Sequence, residues 1–341
     1  MSEKVNKKTE KKAILPVKVK EGIARIPSLE ELISSFIRAQ DVRPNSRESY
    51  RKGLKKFLSW LRIREITDPT RQTILDYKES LKESGLSSFS ISSYIVTVRK
   101  FFDWLEATRG LPNIAKGIKG AKRARGFRKD PLTLSQVKEL LGSIDKAGLR
   151  GLRDYALINL LTRTGLRTIE VTRANVEDIR QQGGEALLWI QGKGRDDKDE
   201  FVLLTGETLK PIYEYLKARG TTKPEAPLFS SMSDRNGGAR LTTRTLRRIV
   251  KDRLRGIGID SDRLTAHSLR HTGITLALQA GATVQEAQAL ARHASINTTL
   301  IYAHNIDRIK QAPERKIDAL ISGNTGNISN IDNISNTNNT L

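Results

Sequence analysis

Two arginines, a lysine, two histidines and a tyrosine occupy unusual settings in the second half of this 341-residue chain. Arg167 follows Gly165 in TRTGLRTIEV, and Glu170 stands three residues on, which puts both on one helical face. Lys193 lies between two glycines in QGKGRDD. His267 and Arg270 share a face of AHSLRHTG, and His293 is followed nine residues later by Tyr302 in LARHASINTTLIYAH. Such a set suits a phosphodiester handled without a metal. Two guanidiniums clamp the non-bridging oxygens and stabilise the extra charge of a pentavalent transition state. A tyrosine hydroxyl is a competent nucleophile, but with a reference pKa of about 10 it needs a base or a strong positive field. A histidine or lysine must then protonate the departing 5′ oxygen. The sequence has no carboxylate cluster of the kind that holds magnesium, no GxxxxGK[ST] loop and no HExxH. No metal and no cofactor is expected.

TGLR, GKG, HSLRH and LARH…TTLIYAH, in this order, resemble the motifs of the tyrosine recombinase (phage integrase) family, of the Xer-like or mobile-element type. The resemblance spans about residues 28–310. It implies that Arg167 and Arg270 clamp the scissile phosphate, that His267 assists proton transfer from the nucleophile, and that His293 hydrogen-bonds a phosphate oxygen. Lys193 would be the general acid, Glu170 a supporting acid, and Tyr302 the nucleophile of a 3′-phosphotyrosyl link. The implied reaction is site-specific cutting and rejoining of duplex DNA, for integration or excision of mobile DNA or for Xer-like dimer resolution. Two departures stand out. The family's usual LGH is here Leu290-Ala291-Arg292-His293, and the hairpin GRDDKDE is acidic, which makes Lys198 a second candidate acid. A type IB topoisomerase and a DNA-binding protein without catalysis are the alternatives; exchange between two sites and covalent trapping separate them.

The elements that must position these residues follow from periodicity. Ser28 and Glu31 form a capping box before an apolar stripe, and further helices are predicted over about 45–63, 69–83 and 88–107. They make a small four-helix domain over 28–110, which the resemblance identifies as a SAM-like core-binding domain. Lys52, Lys55, Lys56, Arg99 and Lys100 lie beside its stripes, where they suit phosphates. Residues 111–130 read as a basic linker: Lys122, Arg123 and Arg125 belong to KGIKGAKRARGFRK, which has seven basic residues and no acid. A mixed α+β catalytic domain is expected over 131–321. Helices are predicted at about 134–145, 151–164, 170–175, 206–219, 242–256, 268–280, 283–292, 296–303 and 306–321, with two strands in ALLWIQGKGRDDKDEFVLL. The fold class is thus mainly α, in two domains, with a small β-hairpin. Tyr155, Tyr213 and Tyr215 fall in apolar helical stripes and are read as core, and His271 as packing.

Composition agrees with an anionic partner. Sixty Lys+Arg against 38 Asp+Glu leave a formal charge of +22. Residues 1–27 form a basic arm with eight Lys/Arg, and the tail 322–341, with seven Asn, is expected to be disordered. The absence of cysteine excludes disulfides, thiolate metal sites and a Cys nucleophile. No apolar run spans a membrane and the N-terminus lacks a signal-peptide core, so the reading is a cytoplasmic, nucleoid-associated protein. The partners implied are double-stranded DNA core sites, further copies in a DNA-bound tetramer, with the segment 307–321 docking between protomers, and a paralogous recombinase.

Overall fold

Each of the first four helices starts where its sequence can satisfy the free N–H groups of a first turn. The computed structural model describes residues 28–122, 129–220, 223–234, 236–310 and 312–322; the basic arm, Arg123, Arg125 and most of the Asn-rich tail lie outside them, as do the side chains at 305 and 307–310. Helix α1 (Leu29–Ala39) has the Ser28–Glu31 capping box; α2 (Pro44–Ile63) opens on a proline, whose missing N–H costs nothing there. Helix α3 (Arg71–Glu83) is capped by Thr70, and α4 (Ser88–Arg109) by Ser87.

Phe36, Leu54, Phe57, Ile74, Tyr77, Ile95 and Phe101 fill the space between these four helices. Each apolar side chain of this size contributes about 1.5–3 kcal/mol on burial. At Gly53 the α2 backbone lies so close to α4 that a Cβ would sit 2.9 Å from Thr97 Cγ2. Ala115 and Ile118 are buried in the same core, so the compact unit continues past α4 into the basic segment. Lys52, Lys55, Lys56, Lys100 and Lys122 are exposed on it, and Arg99 is partly buried.

The second unit, from residue 129, is built around α6 (Leu149–Thr164). Its run Ala156–Leu161 is buried on every side, because helices pack all around it. Helix α5 (Leu134–Gly142) precedes it, with the predicted Thr133–Gln136 cap, and α7 (Thr168–Arg173) follows Gly165, which ends α6 at φ 59°. A three-stranded antiparallel sheet comes next, in the order β1 (Ile179–Gln182), β2 (Glu185–Ile190), β3 (Glu200–Leu203). Leu188 pairs with both Ile179 and Val202. β1 is a strand beyond the two expected. IRQQ shows no apolar alternation; it is held by the Gly183-Gly184 turn, where both residues have positive φ as a tight hairpin requires.

Six further helices among the described residues follow: α8 (Gly206–Arg219), α9 (Thr243–Gly256), α10 (Ala266–Gln279), α11 (Val284–Ala291), α12 (Ile296–Lys310) and α13 (Pro313–Ile321). The expected break near residue 305 is absent: α12 runs on to Lys310, and α13 opens on Pro313, whose missing N–H costs nothing at a first helical position. Tyr215 is buried as read, but Tyr213 is 48% exposed. The buried stripe of α8 is Thr208, Pro211, Ile212, Tyr215 and Leu216, and Tyr213 points away from it.

Candidate active site

Two acceptors organise the site: the carboxylate of Glu170 and the carbonyl of Gly165. Glu170 is fully buried at the start of α7 and accepts the Arg167 backbone N–H (2.7 Å) and Arg167 Nη1 (2.8 Å). Arg167 is the N-cap of that helix, so a helix terminus and an ion pair orient one guanidinium together. Gly165 carbonyl accepts Arg270 Nη1 at 2.6 Å, while Arg270 Nη2 donates to the carbonyl of Ala291. Arg270 is 2% exposed. Burial and the charges of Arg167 and Arg292 lower its pKa to about 10, so it stays protonated at neutral pH.

Helix α10 also carries His267 and His271, whose rings meet edge to face with centroids 4.6 Å apart. His267 opens to solvent, and its pKa is lowered by desolvation and then by Arg270, Arg167, Arg247 and Lys129. Helix α12 brings Tyr302 over this pair. Tyr302 is 4% exposed and its hydroxyl lies 2.6 Å from His271 Nδ1. Burial pushes the phenol up to about 12, against the pull of Arg270 and Arg167. His293, in the turn between α11 and α12, lies with its ring 6.2 Å from that of Tyr302, and its Nδ1 is 2.9 Å from Thr299 Oγ1. Desolvation and the guanidiniums of Arg270, Arg167 and Arg292 lower His293 to about 4, and desolvation with His267 and Arg270 does the same to His271.

Arg167, Glu170, His267, Arg270, His293 and Tyr302, though drawn from four helices and their turns, thus converge. Lys193 stands apart from them. It is exposed in the turn between β2 and β3 and, among the described residues, has no hydrogen bond or ion pair. Its neighbour Gly192 accepts a bond from Arg173 Nη1 at 3.3 Å, which ties the hairpin to α7. Lys198 is occupied: its Nζ donates to both oxygens of the buried Asp178, at 2.7 and 2.6 Å. Among the described residues no cluster of His, Cys, Asp and Glu is placed to hold a metal.

The sequence reading missed three features. His271 is in contact with the tyrosine rather than simply packed; its i, i+4 relation to His267 was the available signal. Arg292 turns inward, to Glu170. Arg244, Arg247 and Arg248 are exposed on α9, and Arg247 is close enough to act on His267.

A family comparison agrees with this geometry. Residues 131–308 match the phage integrase family, and residues 29–109 match the phage integrase N-terminal SAM-like domain. The chain belongs to the phage integrase family, the tyrosine recombinases, and is a site-specific DNA recombinase. Among its relatives, the tyrosine recombinase XerD of Listeria monocytogenes is 30% identical over 285 residues, 81% of this chain and 93% of that protein. XerA of Pyrococcus furiosus is 30% identical over 308 residues, 89% of this chain and 100% of that protein. The fold is shared with the XerH site-specific recombinase in its post-cleavage complex with palindromic difH substrate, with a TM-score of 0.67, 21% identity and 83% of each chain covered. Among the described residues no helix is long and apolar enough to cross a membrane.

Proposed function

We propose that this recombinase cleaves its core site with Tyr302 as nucleophile, with Arg167 and Arg270 on the scissile phosphate and Lys193 as general acid. The observation that carries the reading is the Tyr302 hydroxyl, held 2.6 Å from an imidazole nitrogen within the field of both guanidiniums. Tyr302 Oη bonds to phosphorus as its proton passes to imidazole, His271 being the group in contact and His267 the ring beside it. The bond to the 5′ oxygen breaks, and Lys193 protonates that oxygen. The 3′-phosphotyrosyl ester retains the energy of the broken bond, so a different 5′ hydroxyl reverses the step without ATP or metal.

Neighbouring groups support these roles. When the Thr299 hydroxyl donates to His293 Nδ1, the ring carries its proton on Nε2, the form that donates to a phosphate oxygen. Glu170 orients Arg167. Desolvation is the larger cause of the depression at His271 and His293; the phosphodiester anion offsets the further part that comes from their cationic neighbours. Lys198 is spent on Asp178, which favours Lys193 as the acid.

The duplex meets Lys52, Lys55, Lys56, Arg99, Lys100 and Lys122 of the first unit, and Arg244, Arg247 and Arg248 of α9. Recombination joins two sites, so the working form is a DNA-bound tetramer, acting at the nucleoid, of this chain alone or with a paralogous partner. Helix α13 is its docking element: it has no buried residue and exposes Ile317, Leu320 and Ile321. A chain ending at residue 311 is expected to cleave but not to exchange strands between two sites.

The test of the chemistry is covalent trapping, in EDTA, on nicked suicide duplexes taken from the flanks of its own gene. A protein–DNA adduct on a denaturing gel, lost in Tyr302→Phe, supports the assignment. Bound DNA without an adduct, or an adduct that persists in Tyr302→Phe, overturns it.

A further inference from the structure

The position before His293 is a glycine in the usual family motif and an arginine here, and the backbone keeps the glycine's conformation. Arg292 has φ 52° and ψ 49° and caps α11 in the left-handed region, which L-residues adopt rarely. An arginine tolerates this when its side chain is strongly held. Its side chain is 7% exposed. Nη1 donates to Leu290 carbonyl at 2.7 Å, and Nη2 donates to Glu170 Oε2 at 3.1 Å and, more weakly, to Gly165 carbonyl at 3.4 Å. These last two are the same acceptors that hold Arg167 and Arg270. The far side of the guanidinium faces the β-hairpin, where Nε lies 4.0 Å from Glu200 Oε2 without hydrogen-bonding it.

We propose that Arg292 is a positioning residue of the recombination site, which fixes the Glu170 carboxylate and the Gly165 carbonyl and through them sets the two phosphate-clamping arginines. This rests on the roles given above to Arg167 and Arg270. The charge arrangement makes the brace useful. Glu170 paired with Arg167 alone would draw that guanidinium onto itself and away from an incoming phosphate; shared with Arg292, the carboxylate is balanced from both sides. Arg292 itself, buried and committed to internal acceptors, does not touch the substrate.

The test uses the full chain and the suicide duplex that gives the wild-type adduct. Arg292→Gly suits the φ of 52° but leaves the buried Glu170 with Arg167 alone, so a modest drop in melting temperature is expected, and cleavage is read well below the melting temperature of every variant. Its single-turnover cleavage rate at saturating DNA is expected to fall by about 10- to 100-fold, the usual cost of losing a partner that orients active-site groups, with duplex affinity within about threefold. Arg292→Lys, which lacks the planar fork, is not expected to restore the rate. Because Arg292 acts in part through Glu170, the double variant Arg292→Gly/Glu170→Gln is expected to lose clearly less than the product of the two single losses. An unchanged rate in Arg292→Gly overturns the proposal. So does a double variant whose loss is the product of the two single losses, or an affinity loss that accounts for the whole defect, since that marks a direct phosphate contact. The wild-type adduct and its absence in Tyr302→Phe report on the nucleophile separately, so this proposal fails or stands apart from that one.

Discussion

The guanidinium corner and the β2–β3 hairpin of the second unit are built on opposite plans. At the corner, Arg270 is buried with both terminal nitrogens on backbone carbonyls, and Arg167 is held through a buried carboxylate. In the hairpin, Lys193 stands exposed in a glycine-flanked turn, while residues beside it, Gly192 and Lys198 among them, tie the chain down. Charge that stabilises a transition state acts best when it is already oriented, since orientation then costs nothing during the reaction. A proton donor needs contact with the leaving oxygen only in the moment of bond breaking, and a turn ordered by the substrate can supply that.

The contrast is open to attack at several points. Lys193→Ala is expected to slow cleavage of an ordinary phosphodiester by up to about 10⁴-fold, with little change in melting temperature. A substrate with a 5′-bridging sulfur, whose thiolate leaves without a proton, should recover most of that rate; failure to recover would remove the lysine from the acid's role. Arg270→Ala should cost about 10²- to 10³-fold, be equally slow on the sulfur substrate, and resist rescue by Arg270→Lys, because an ammonium cannot span the carbonyls of Gly165 and Ala291. Lys198→Ala leaves a buried Asp178 without its cation and should destabilise the fold by about 2 kcal/mol in urea melts, without changing the preference between oxygen and sulfur substrates.

The smallest effect concerns His271. The unfolded chain takes up its proton near pH 6.5, whereas the folded protein resists until about 4. The unfolded state therefore binds more protons between these values, and stability drops as pH falls through the window and levels off below it. The two values bound the contribution at about 3 kcal/mol. Solvent reaching the site beside exposed His267 reduces it to on the order of 1 kcal/mol, by which His271→Asn should flatten this part of the stability profile.

Much of this was legible in the chain itself. Capping boxes at Ser28 and Thr133 and the stripes of α1 to α4 marked helices correctly, because these signals are local. Type and spacing also singled out Arg167, Glu170, His267, Arg270, His293 and Tyr302, which the fold brings together, and Lys193, which it leaves apart. What escaped depended on distant neighbours. The polar strand β1 exists because β2 offers it a ladder, and Tyr213 faces outward because the core of the unit lies on the other side of α8. His271 acquires its partner only when α12 crosses α10. The inward turn of Arg292 needed the positions of Glu170 and Gly165, more than a hundred residues earlier in the chain.

One contact sets a limit on how such an enzyme could be re-engineered. Gly273 on α10 lies against the end of α6, where an added Cβ would come 2.5 Å from the carbonyl oxygen of Thr162 and 3.4 Å from the nitrogen of Gly165. Main chain rests on main chain there, so the spacing between the helix that carries Arg270 and the carbonyl that anchors it is gauged by backbone atoms and not by interchangeable side chains. Gly273 is the reference surface from which the rest of the site is measured, and even a single methyl group there would put the gauge out of true.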